Sequence, residues 1–72
     1  MEKLINYINI LYQWSVRTPE NAKTFLNQAF GAVQFYIFEH NPSGEEYDEL
    51  ETKWSETLRP AFEAIIYGGT EV

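Results

Sequence analysis

The first seventeen residues place their apolar side chains at helical spacing. At about 100° per residue, Leu4, Ile8, Leu11 and Ser15 fall on one face. Ile5, Tyr12 and Val16 widen that face to one side, and Tyr7, Ile10 and Trp14 widen it to the other. Asn6, Asn9, Gln13 and Arg17 form the only polar stripe, and strand-like alternation is never sustained. The pattern predicts a helix over 2–17. Thr18-Pro19-Glu20 then punctuates the chain, with Thr18 as an N-cap through its hydroxyl, Pro19 at the first helical position and Glu20 at the positive end of the dipole. So short a turn makes the first two helices antiparallel neighbours.

A second helix is expected over 19–40, its main apolar face made of Ala22, Phe25, Leu26, Ala29, Phe30, Val33, Tyr36 and Ile37. Phe35 and Phe38 depart from this pattern and project from the back of the helix, near Gly31. Pro42 disfavours helical geometry at Asn41 and so ends the helix. Ser43, followed three residues later by Glu46, reads as a capping box opening a third helix over 44–67. In that helix Tyr47, Leu50, Trp54, Leu58, Ala61 and Ile65 form a heptad-like seam. Pro60 lies inside the helix but opposite the seam, so a kink at Pro60 is expected rather than a break. Gly68-Gly69 is expected to cap the C-terminal end, with a frayed Thr70–Val72 tail. Glu49 and Lys53 stand at the spacing of a favourable ion pair. These elements predict an all-α fold, an up-down-up three-helix bundle forming one helical domain over 1–72.

Composition changes this picture in one respect. A chain of 72 residues buries only about 60% of its unfolded surface, so small domains rely on disulfides, metals or association. With no Cys and one His, disulfides and zinc sites drop out. What remains is a rich core or oligomerisation, and 17% aromatic residues serve either. The net charge of −6 argues against nucleic-acid and anionic-membrane partners, which need clustered Lys and Arg. No segment approaches the roughly 20 apolar residues of a membrane span, and the opening residues lack the pattern of a secretory signal. With no Cys, the default expectation is a cytoplasmic protein.

Candidate chemistry is sparse. The acidic run from Glu45 to Glu51 places Glu45 beside Asp48 and Glu49, yet as amphipathic helix it suits the helix dipole better than a calcium loop. His40, in the last turn of its helix, reads as a cation at the negative end of the dipole. No Ser or Thr stands beside His in the manner of an activated nucleophile, and no small-molecule substrate or cofactor is implied. The chain therefore reads as a non-enzyme; a small metal- or ligand-binding enzyme is the remote alternative.

The feature that stands out is surplus apolar surface. The apolar arc of the first helix covers about 240°, more than two neighbours require. Together with the back of the second helix it nominates an interface of Tyr7, Ile10, Trp14, Gly31, Phe35 and Phe38. The expectation is a protein–protein interaction module that forms a homodimer through this surface. A monomeric adaptor or inhibitor, whose acidic third helix meets a basic partner, is the alternative.

Overall fold

A computed structural model describes the backbone of residues 1–71 and the side chains of residues 1–68. The described chain is all-α: three helices and no strand. Helix α1 spans Glu2–Arg17, with Glu2 in its first turn and Arg17 in its last, each charge complementing the dipole at its end. The four residues buried on α1 are Leu4, Ile8, Leu11 and Ser15, the stripe that helical spacing predicts. Ser15 is tolerated there because its hydroxyl donates to the Leu11 carbonyl at 2.9 Å, inside the same helix.

The first turn corrects one expectation. The Thr18 hydroxyl does not cap the following helix; it donates backwards to the Trp14 carbonyl at 2.8 Å, and the Thr18 N–H donates to the same oxygen at 2.9 Å. Thr18 thus satisfies an orphan carbonyl at the end of α1. The new helix opens as a 3₁₀ turn, Pro19–Asn21, closed by the Asn21 N–H on the Thr18 carbonyl, and α2 proper runs Ala22–His40. It ends at Asn41 in the left-handed region (φ 45°), a conformation Asn tolerates, with the Asn41 N–H donating to the Ile37 carbonyl.

Ser43 is extended and its hydroxyl accepts from the Glu46 N–H at 3.5 Å, at the long limit of a hydrogen bond. Only this half of the capping box is present; among the described residues the Glu46 carboxylate makes no return bond. The third helix comprises α3 (Gly44–Lys53), a π-helical stretch (Trp54–Leu58) and α4 (Arg59–Glu71). The distortion expected at Pro60 is therefore a widening of the turn just before it. Pro60 has no N–H for the Glu56 carbonyl, and the backbone responds by bonding Arg59 N–H to the Trp54 carbonyl, five residues back. Ser55 Oγ donating to the Glu51 carbonyl at 2.9 Å adds a bond of the kind that bends helices.

This widened turn changes which side chains are buried. More residues per turn keep spacings of four in line, so Leu50, Trp54, Leu58 and Phe62 form the buried seam. Phe62, absent from the predicted seam, is fully buried, while Ala61 and Ile65 are only partly so and Tyr47 is exposed. Two further expectations fail. Helix α4 continues through Gly68 and Gly69 to Glu71, and no described glycine takes positive φ, so the pair does not form a left-handed cap. Thr70 and Glu71 are accordingly helical, and Val72 of the expected frayed tail lies outside the described residues. Glu49 and Lys53 do not pair; the ion pair found among the described residues is Arg59–Glu63 at 2.9 Å, with Arg59 exposed and Glu63 partly so.

Side-chain contacts fix the directions of the helices. Trp14 meets Phe25 and a groove joins Lys3 and Tyr7 to Phe35 and Glu39, so α2 runs antiparallel to α1. Met1 and Ile5 share a hollow with Glu49 and Lys53, while Tyr12 meets Phe62 edge-on at 5.9 Å, so the third helix runs parallel to α1. The result is the up-down-up bundle. Its core unites Leu4, Ile8 and Leu11 with Ala29 and Val33 and with the seam of the third helix. Among the described residues no buried side-chain polar atom lacks a partner.

Candidate functional site

Every side chain nominated for an interface lies at the surface. On α1, Tyr7 is 43% exposed, and Ile10 and Trp14 are each 46% exposed. On α2, Phe35 is 61% and Phe38 83% exposed. Gly31 faces open space: a Cβ placed on it would meet nothing within 4 Å. The apolar surplus is thus not absorbed by the core of one chain.

The structure brings some of these residues together and leaves others apart. Tyr7 and Phe35 line one groove between α1 and α2, with Ala32 and Tyr36 on its floor and Lys3 and Glu39 on its rim. Trp14 lies farther along α1, tilted against Phe25 with ring centroids 5.8 Å apart. Helical spacing puts Gly31 and Phe38 on the flank of α2 beyond Phe35, and Phe38 has no ring contact among the described residues. The contiguous part of the patch is therefore Tyr7, Ile10, Trp14 and Phe35, with Gly31 and Phe38 at its edge.

Two features escaped the sequence reading. Phe30, expected in the core, is 47% exposed and stacks on Trp54 with centroids 6.0 Å apart. Leu26, Asn27 and Arg59 complete a cleft of about 210 Å³ around this pair. That is smaller than the roughly 300–1,000 Å³ of ordinary ligand sites. No local pattern links Phe30 to Trp54, because they meet only across two helices. The second feature is His40 stacked on Tyr36 with centroids 4.3 Å apart, a contact that their spacing of four permits.

Charge is divided unevenly along the chain, and this was open to inspection in the sequence. In residues 1–40, Lys3, Arg17 and Lys23 balance Glu2, Glu20 and Glu39. Residues 41–72 hold two basic and eight acidic side chains, which account for the whole net charge of −6. The apolar patch lies on the neutral pair of helices. The acidic side chains from Glu45 to Glu51 are exposed, and no group of three or more His, Asp or Glu among the described residues is placed to hold a metal ion. No described helix is long and apolar enough to cross a membrane. Comparisons of the chain with protein-family models, with curated proteins and with solved structures find no match.

Proposed function

We propose that this protein is a non-enzymatic, cytoplasmic interaction module that associates with a second copy of itself through the α1/α2 face. The observation that carries this reading is the exposure of five large apolar side chains, Tyr7, Ile10, Trp14, Phe35 and Phe38, on two adjacent helices. Apolar surface that is in large part contiguous, as Tyr7, Ile10, Trp14 and Phe35 make it here, marks interfaces more often than it marks ordinary monomer surface. The charge division supports a second copy as the partner. Two neutral faces approach each other without repulsion, while the acidic third helices remain in solvent.

Sedimentation equilibrium tests the proposal. The wild-type chain is expected to dimerise at high micromolar concentration, and a strict monomer there would sink the reading. Phe35→Ser with Phe38→Ser is expected to weaken the dimer by about 30-fold or more, the effect of losing a hot spot of about 2 kcal/mol. Unchanged association in that double variant would move the contact elsewhere on the surface.

A second reading has its own observation, the concentration of net charge in residues 41–72. In it the chain is a monomeric adaptor or inhibitor that docks a basic partner on the third helix. Such binding is expected to weaken steeply as salt rises, whereas an apolar homodimer changes little. Titration against a lysine-rich peptide at low and high ionic strength separates the two.

A further inference from the structure

The self-association proposed above leaves open how the two copies meet, and the rim of the groove contains the information. At 100° per residue, Lys3, Tyr7, Ile10, Trp14 and Arg17 keep to one flank of α1, about 80° wide. Opposite them on α2, Phe35 and Glu39 stand at the level of Lys3 and Tyr7, since all four line one groove. Lys3 and Glu39 are both exposed, and neither forms an ion pair among the described residues.

Two symmetric arrangements lay this face on a copy of itself. A two-fold axis across the helices inverts the levels, sets α1 on α1 about Ile10, and brings Lys3 opposite the partner's Arg17. Like charges then meet at both ends of the contact, a juxtaposition that interfaces avoid. A two-fold axis along the helices preserves the levels and sets α1 on the partner's α2. Lys3 then faces the partner's Glu39 and Tyr7 faces the partner's Phe35, each pair occurring twice. We infer that the dimer axis runs along the bundle, making a four-helix layer in which two Lys3–Glu39 pairs between protomers lie side by side at the end where α1 begins.

The area available sets the strength. Helix α1 is 16 residues long, about 24 Å at a rise of 1.5 Å per residue, and two helices side by side are roughly 20 Å wide. Each copy then contributes roughly 500 Å², and the pair roughly 1,000 Å², the lower bound for a specific interface. The dimer is accordingly a dissociable one, in which two symmetry-related charge pairs have a measurable share.

Charge reversal read by sedimentation equilibrium at low ionic strength tests the axis. Lys3→Glu and Glu39→Lys are each expected to weaken dimerisation on the order of tenfold. Glu39→Lys is the more telling, because it also reduces the net charge that opposes association. An equimolar mixture of the two single variants is expected to form heterodimers at wild-type strength, since every pair in them is again of opposite sign. In a dimeric wild type, tighter or unchanged association of Lys3→Glu overturns the axis while self-association stands. So does efficient disulfide cross-linking of Ile10→Cys, introduced into a chain with no other Cys, because Cα atoms more than about 7 Å apart are not bridged. A wild type that stays monomeric overturns both readings at once.

Discussion

Phe62→Ala is expected to cost about 3–5 kcal/mol, the range for removing a buried aromatic ring from a packed core. Phe62 is fully buried, meets Tyr12 edge-on at 5.9 Å and closes the seam of the third helix over α1. A domain of 72 residues has a total stability of only about 4–11 kcal/mol. The variant is therefore expected to lose about a quarter of its stability or more, and with it much of its folded population on mild heating. Urea unfolding followed by circular dichroism measures this as a lowered midpoint with an unchanged slope. Ala61→Ser, one residue away and only partly buried, is the reference, with an expected cost under about 1 kcal/mol. Equal small costs at both positions would mean that the seam continues through Ala61 and that the π turn does not set the register.

Ile8→Ala is expected to destabilise the fold by about 2–5 kcal/mol, while its neighbour Tyr7→Ala leaves the fold of the monomer intact and weakens the proposed dimer. Ile8 is wholly buried at the centre of α1, whereas Tyr7 is 43% exposed at the mouth of the groove. The two differ by one residue, and about 100° of rotation turns the side chain from core to surface. Because association stabilises the folded state by mass action, unfolding has to be followed at a concentration where the wild type is monomeric. Under that condition the Ile8→Ala midpoint falls furthest, while Tyr7→Ala costs only about 1–2 kcal/mol, the share of its ring that is already covered in the monomer. In sedimentation the order is expected to reverse, with Tyr7→Ala raising the dissociation constant of the proposed dimer. A Tyr7→Ala chain that unfolds as readily as Ile8→Ala would show that the ring is a structural element and remove it from the contact.

These variants separate two uses of apolar side chains that lie side by side in the sequence. On α1 the division was legible, because an unbroken α-helix has a fixed rotation per residue. Leu4, Ile8, Leu11 and Ser15 emerge as the buried stripe, and Tyr7, Ile10 and Trp14 emerge outside it. On α2 the reading was less complete. Phe35 and Phe38 were recognisable as misfits to the apolar face, but Phe30 fitted that face and still remains 47% exposed. Its stacking partner, Trp54, belongs to another helix, and periodicity within one helix contains nothing about that distance. The candidate site was legible for the same reason that α1 was: it consists of what local periodicity leaves over.

Local backbone chemistry and spacing were enough to specify three helices, the position of the turns and the one stripe that α1 buries. Pro19, Asn41-Pro42 and Ser43 act through their own backbone geometry and nearest neighbours, so their effect survives any tertiary context. Packing between helices settled what spacing leaves open. Pro60 guaranteed a disturbance, but whether Ala61 or Phe62 followed Leu58 into the core depended on the width of the turn before it. The pull of a large ring toward α1 and the missing N–H both favour the wider π turn, and Phe62 is buried as a result.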